Sequence, residues 1–151
     1  MANITVETDV PIPMRDGTRL FADIYRPSPS GRYLVLLQRT PYDKSAGRVQ
    51  FLDAIRATER GYAVVIQDTR GRYSSEGEFE PFVSDIQDGY DTVGWCAGEP
   101  WSNGRVGMYG ISYVGATQWL AAIAAPPHLC AIAPGMTAAD YLTAGFTGVV
   151  R

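Results

Sequence analysis

The sequence is poor in the residues that build disulfide frameworks and zinc sites. It has two cysteines, Cys96 and Cys130, and a single histidine, His128, in 151 residues. The cysteines are far apart and each lies in an apolar stretch, whereas a disulfide framework or a zinc site needs more such residues at closer spacing. We therefore expect two buried free thiols and no metal site.

Basic stripes and long apolar runs are also missing. The 13 Lys and Arg residues against 16 Asp and Glu residues give a net charge of -3 at pH 7. The basic residues are scattered, which argues against nucleic acid or anionic lipid as the main partner. No stretch approaches the roughly 20 apolar residues of a membrane span, and the N-terminus has neither the basic nor the apolar region of a secretory signal. The expected location is the cytoplasm.

The chain does contain an alternation of strand and helix patterns. Segments 3–14 and 19–27 alternate apolar and polar residues on either side of the Asp-Gly turn signal in "RDGT", which predicts an antiparallel hairpin. Four further strands are predicted, most of them as apolar runs covered on both faces, at 33–38, 62–68, 105–110 and 129–135. With helices between the later strands, the order is β-β-β-α-β-α-β-α-β. This order predicts an α/β fold with a mostly parallel sheet.

Three helices are predicted between these strands. The first lies within 48–61 and is closed by Gly61. Its apolar stripe is formed by Phe51, Leu52, Ile55 and Thr58. The second begins at a capping box of Ser84 and Gln87 and continues through Trp95. The third, "YVGATQWLAAIAA", follows a serine directly and stops at two prolines.

That serine, Ser112 in "MYGISYVGA", is the candidate nucleophile. It lies between a predicted buried strand and a helix, at the edge where open α/β sheets place their active sites. A nucleophile elbow needs this strand-turn-helix context and small neighbours. Gly110 fits the usual G-x-S-x-G pattern, but Val114 stands at the second glycine position and Gly115 follows it. The alternative is a Gly-Ser turn that caps the following helix.

"GISYVG" resembles the G-x-S-Y-x-G elbow of the X-Pro dipeptidyl-peptidase and cocaine-esterase family of α/β hydrolases. This family includes the α-amino-acid ester hydrolases and glutaryl-cephalosporin acylases. Further stretches resemble it in the same order, from about residue 12 to residue 140: "MRDGTRLFADIYRP", "RTPYDK", "GYAVVIQDTRGRYSSEGEF" and "PWSNGRVGMYGISYVG". The resemblance implies an α/β-hydrolase fold, of which residues 1–151 are the N-terminal portion, truncated after about the sixth strand. It implies no metal or organic cofactor.

Two donors are expected for the oxyanion that forms when a serine attacks a carbonyl. One is the backbone N–H of Tyr113, the residue after the serine. The other, by resemblance, is the hydroxyl of Tyr42 in "RTPYDK", and a surface loop tyrosine is the alternative. A phenol is neutral near pH 7 and can donate to an alkoxide.

The catalytic base is not expected within this chain. His128 is predicted to start the strand after the helix that follows Ser112, about 15 Å away at the opposite edge of the sheet. By resemblance, the triad Asp and His lie downstream, beyond a helical cap, and a jelly-roll-like domain follows. Loss of a triad member costs on the order of 10⁴-fold in rate. The 151 residues alone are therefore expected to be nearly inactive.

Four other charged residues lie at or near the predicted active-site edge of the sheet. Asp68, Arg70 and Arg72 in "DTRGRYSSEGEF" are expected to pair and order a long loop. Asp140 is predicted to follow the last strand, where by resemblance it would bind a substrate ammonium group. The alternative for Asp140 is a helix N-cap.

These observations predict a serine hydrolase that acts on ester or amide bonds, acyl or X-Pro dipeptidyl, through an acyl-enzyme intermediate. Its substrates would be small esters or amides, or short peptides. The alternative is a non-catalytic binding or interaction protein that retains a hydrolase-derived fold.

Overall fold

The computed structural model describes residues 3–28 and 30–138. The described strands are β1 (Ile4–Pro13), β2 (Arg19–Pro27), β3 (Tyr33–Thr40), β4 (Ala63–Asp68), β5 (Ser102–Ile111) and β6 (Leu129–Gly135). The described helices are α1 (Lys44–Gly47), α2 (Ala54–Glu59), α3 (Asp85–Gly98) and α4 (Tyr113–Ile123). None of these helices has the length and apolar character needed to cross a membrane.

The strands form one mixed sheet in the order β1-β2-β4-β3-β5-β6. The hairpin β1–β2 is antiparallel, as expected, and β2 is also antiparallel to β4. The remaining neighbours, β4–β3, β3–β5 and β5–β6, are parallel. The chain crosses β3 on its way from β4 to β5, so the strand order reverses there. A reversal of this kind opens a crevice at the carboxyl ends of the strands.

Helices cover both faces of the sheet. On one face, α3 and α4 contribute Val93, Cys96 and Ala121 to a core with Leu37 and Met108. On the other face, Ala54 and Ala57 of α2 pack in a second core. Its strand residues are Tyr25, Val64 and Ile66. Successive residues of a strand point to opposite faces, which is why the central strands are apolar without interruption.

The first of the three predicted helices corresponds to α2 and is shorter than predicted. It begins at Ala54 because the Asp53 side chain caps it, accepting from the N–H groups of Ile55 and Arg56. Phe51 lies before the cap with φ 60° and is exposed, so the predicted stripe is wrong at that residue. Gly61 ends the helix with φ +92°, as expected.

Three other local predictions are corrected. Ser84 is the N-cap of α3, but its side chain makes no capping hydrogen bond, so the predicted box with Gln87 does not form. The helix continues past Trp95 to Gly98. Cys96 is buried, whereas Cys130 is exposed because it lies on β6, at the edge of the described sheet.

Candidate active site

Ser112 occupies a strained turn between β5 and α4. Its backbone has φ 59° and ψ -127°, in the region that favours glycine, where another residue costs about 1–3 kcal/mol. Its N–H donates to the Gly135 carbonyl at 2.9 Å, and its own carbonyl accepts from the N–H groups of Gly115 and Ala116. The side chain makes no capping hydrogen bond to α4. The hydroxyl is therefore not used for helix capping.

The two glycines around Ser112 are required by close contacts. A Cβ at Gly110 would lie 2.3 Å from Val114 Cγ1, so Val114 fills the space that Gly110 leaves. A Cβ at Gly115 would lie 2.5 Å from Thr137 Cγ2 and 3.0 Å from the Gly135 carbonyl oxygen. The second glycine is therefore needed one position later than in G-x-S-x-G, where α4 approaches the end of β6.

Ser112 opens into a cavity of about 500 Å³. The cavity is lined by Tyr42, Phe82, Ser112, Tyr113, Met136, Thr137 and Ala138. The rings of Tyr42 and Tyr113 meet edge to face, with centroids 6.5 Å apart. The structure therefore brings together the three site residues predicted from the sequence that fall within its described part. Asp140, the fourth, lies outside the described residues.

The loop that carries Tyr42 is fixed on both sides of this residue. The Tyr42 N–H donates to Thr40 Oγ1 at 3.0 Å, and the Pro41 carbonyl accepts from Arg72 Nε at 3.0 Å. The Lys44 N–H donates to Asp68 Oδ1 at 2.8 Å. Tyr42 itself is 46% exposed and lines the cavity.

The charged residues of the long loop after β4 order that loop, but with partners other than those expected. Buried Asp68 accepts from backbone N–H groups and lies 3.9 Å from Lys44 Nζ rather than beside an arginine. Burial raises the pKa of the Asp68 carboxyl. Arg70 pairs with Asp88 at 2.7 Å and with Asp16 at 2.9 Å.

The side chain of Tyr113 is held by a hydrogen-bond chain that sequence reasoning missed. Its hydroxyl donates to Asp85 Oδ2 at 2.7 Å and accepts from the Phe82 N–H at 3.0 Å. Burial, together with the Asp85 carboxylate, raises the pKa of this hydroxyl. Asp85 Oδ1 in turn lies 3.3 Å from Arg39 Nη1, with both side chains buried. No local spacing in the sequence links positions 39, 85 and 113.

His128 lies at the opposite end of the sheet from Ser112, as predicted. Its Nδ1 is 3.0 Å from the carbonyl oxygen of Gly104, near the start of β5, whereas Ser112 follows the end of that strand. His128 therefore cannot exchange a proton with Ser112. Among residues 3–28 and 30–138, no group of three or more His, Cys, Asp or Glu side chains is arranged to hold a metal ion.

A sheet covered on both faces, with a strained serine between β5 and the helix after it, defines an α/β-hydrolase fold. Residues 16–150 match the family model described as X-Pro dipeptidyl-peptidase (S15 family). The chain belongs to this family.

Similar proteins agree with that assignment. The chain is 48% identical over 149 residues to cocaine esterase from Rhodococcus sp. (strain MB1 Bresler), covering 97% of this chain and 26% of that protein. A solved α-amino acid ester hydrolase is 34% identical with a TM-score of 0.76, over 87% of this chain and 25% of the other. A CocE/NonD family hydrolase from Staphylococcus aureus is 28% identical with a TM-score of 0.78, over 87% and 30%. The chain thus spans about a quarter of the length of the curated relatives it matches.

Proposed function

We propose that residues 1–151 are the N-terminal portion of the catalytic domain of a serine hydrolase, with Ser112 as the nucleophile. The observation that carries this proposal is the strained backbone of Ser112 at a cavity shared with Tyr42 and Tyr113. Strain of this kind persists only where the surrounding structure holds it, and it is concentrated at functional sites. The Ser112 side chain is free of the capping role that would otherwise explain a serine at this position.

In the proposed reaction, Ser112 Oγ attacks the carbonyl carbon of an ester or amide and the carbonyl oxygen becomes an oxyanion. The backbone N–H of Tyr113 and the hydroxyl of Tyr42 donate to this oxyanion. Donors that are already in place for such a charge usually make the largest single contribution to catalysis. Collapse of the intermediate expels the alcohol or amine, and water then hydrolyses the acyl-enzyme.

A His-Asp pair outside the described residues would complete the site. The histidine would take the Ser112 proton and pass it to the leaving group, while the acid would orient its ring. His128 is too far from Ser112 for this role. The pair is therefore proposed to lie downstream, in the part of the protein that this chain does not span.

The proposed substrates are small esters or amides, or short peptides. A cavity of about 500 Å³ has room for a small acyl group, and its lining includes three aromatic side chains, Tyr42, Phe82 and Tyr113. The names of the relatives point to the same class, since they include an α-amino acid ester hydrolase and X-Pro dipeptidyl-peptidases. For substrates with a free amino group, Asp140 is proposed to bind the ammonium.

Labelling with a fluorophosphonate probe tests this proposal on the full-length protein. The wild type should be labelled at Ser112, and Ser112→Ala should remove the label and lower ester turnover by about 10⁴-fold or more. Ser30→Ala, which removes an exposed hydroxyl between β2 and β3, is the matched control. It should keep both the label at Ser112 and the wild-type rate of ester turnover. A wild-type protein that ignores the probe and cleaves neither esters nor X-Pro amides would instead support a non-catalytic binding protein.

A further inference from the structure

The Asp85 carboxylate and the Tyr113 hydroxyl form a direct hydrogen bond of 2.7 Å next to the candidate oxyanion site. We infer that Asp85 is a positioning residue, which fixes the direction of the Tyr113 backbone N–H by holding the side chain of the same residue. This inference rests on the proposed function, because it requires Ser112 to be the nucleophile.

The carboxylate of Asp85 is divided between two partners. One oxygen, Oδ1, lies 3.3 Å from Arg39 Nη1, while Oδ2 accepts from the Tyr113 hydroxyl. A buried Arg–carboxylate pair often uses both oxygens in a bidentate contact. Here one oxygen is directed to Tyr113 instead. The hydroxyl also accepts from the Phe82 N–H at 3.0 Å, and the Phe82 ring stacks on that of Tyr113 with centroids 4.6 Å apart. The phenol is therefore held at its oxygen and along its face.

Asp85 is itself buried and held by contacts of its own, as a positioning residue must be. It is the first residue of α3, and Arg39 Nη1 also donates to its carbonyl at 3.2 Å. Arg39 in turn is fixed by a hydrogen bond from Nε to Gln67 Oε1 at 2.8 Å. Farther along, α3 and α4 approach so closely that a Cβ at Gly89 would lie 2.7 Å from the Ala121 Cβ. The two helices are thereby linked at their first residues by the Asp85–Tyr113 hydrogen bond and farther along by packing.

The backbone around Ser112 needs such a restraint. Tyr113 is the first residue of α4, so its N–H has no acceptor within the helix and is available to an oxyanion. The strained Ser112 backbone is held on its own side by the hydrogen bond to the Gly135 carbonyl. The Asp85 hydrogen bond restrains the next residue, Tyr113, through its side chain. A displacement of about 1 Å in a site of this kind costs on the order of 100-fold in rate.

Tyr113→Phe in the full-length protein tests the inference. It removes the hydroxyl and keeps the ring, the backbone N–H and the Arg39–Asp85 pair. We expect kcat to fall about 10- to 100-fold with KM changed less than about twofold, since the contribution is made in the transition state. The inhibition constant of a trifluoromethyl ketone, which forms a tetrahedral oxyanion with serine, should rise in proportion to the loss of kcat/KM. Tyr33→Phe, which removes a hydroxyl bonded to the Ser28 carbonyl, is the matched control and should leave all three values unchanged.

The outcomes separate this inference from the proposed function. A wild-type protein without Ser112 labelling or ester turnover overturns both. A labelled, active wild type with a Tyr113→Phe variant of unchanged kcat and ketone affinity overturns only the positioning role, as does a change confined to KM. If Tyr113→Phe does not fold by circular dichroism, Asp85→Asn is measured with the same readouts. Failure of both variants to fold shows a purely structural contact and also overturns the inference.

Discussion

Val114 occupies the space that a side chain at Gly110 would need, with its Cγ1 only 2.3 Å from the position of a Cβ there. Gly110 also has φ +133°, a conformation that residues with a side chain rarely adopt. The elbow is therefore built around the contact between Gly110 and Val114. This contact explains why the second glycine position of G-x-S-x-G holds a valine here.

Gly110→Ala should displace the elbow. Overpacking of this kind costs about 1–3 kcal/mol, to which the unfavourable φ adds, so we expect a lower midpoint in urea unfolding and slower labelling of Ser112 by a fluorophosphonate. Gly94→Ala is the control, because Gly94 lies in α3 with no atom within 4 Å of an added Cβ. It should gain up to about 1 kcal/mol from helix propensity. Equal stability of the two variants would contradict this account of the elbow.

The ion pair between Asp16 and Arg70 predicts an acid-sensitive contribution to stability. The hydrogen bond from Arg70, with that from the Thr18 N–H, lowers the pKa of Asp16 from its ordinary 3.8 to about 2. A carboxyl with a lowered pKa in the folded state stabilises the fold above its unfolded pKa, and this contribution is lost as the pH falls toward the folded value. Asp16→Asn should therefore flatten the dependence of the unfolding free energy on pH between pH 3.8 and about 2.

Urea titrations at several pH values in that window measure the effect. Glu59→Gln, a change at an exposed residue at the end of α2, should follow the wild-type curve. An Asp16→Asn curve parallel to the wild type would show that the Asp16–Arg70 pair does not survive in solution.

His128 should be dispensable for catalysis. Its ring lies beside Gly104, at the start of β5, so His128→Gln should keep kcat/KM within about twofold of the wild type and should keep Ser112 labelling. Loss of a true triad histidine would lower the rate by about 10⁴-fold or more. A loss of that size in His128→Gln, with the fold intact by circular dichroism, would mean that the catalytic base has been wrongly placed outside the described residues.

The features that the sequence predicts well depend on local signals. The Asp-Gly turn and the alternation around it are enough to predict the β1–β2 hairpin, and the run "RVGMYG" before Ser112 is enough to predict a strand leading into an elbow. Helix ends were harder to predict, because they depend on which side chain caps. The Asp53 side chain caps α2, which excludes Phe51 from that helix. The Ser84 side chain, by contrast, makes no capping hydrogen bond to α3.

Long-range contacts could not be predicted in this way. Arg39, Asp85 and Tyr113 come from a strand and two helices, and only the folded sheet brings them together. The sequence predicts a neighbouring arginine as the partner of Asp68, but the parallel pairing of β3 with β4 places Lys44 there instead. Tyr42 became a site candidate through resemblance alone, since a tyrosine in a polar loop carries no local signal of catalysis.

Tyr42 is also the site residue for which substitution is most informative. Its ring shares the Ser112 cavity and its loop is fixed by Thr40 and by Arg72, so Tyr42→Phe should remove a donor without moving the backbone. Removal of one oxyanion donor costs about 10²- to 10³-fold in kcat. We expect that loss with KM little changed, measured by steady-state hydrolysis of a chromogenic ester.

A matched variant separates the loss of the oxyanion donor from the loss of a tyrosine hydroxyl elsewhere in the protein. Tyr62→Phe removes a hydroxyl from a tyrosine before β4 that is 38% exposed, and it should be as active as the wild type. If Tyr42→Phe keeps full kcat while Ser112→Ala is inactive, Ser112 would remain the nucleophile. The second oxyanion donor would then have to come from another group, and the Tyr42 loop would serve only to line the cavity.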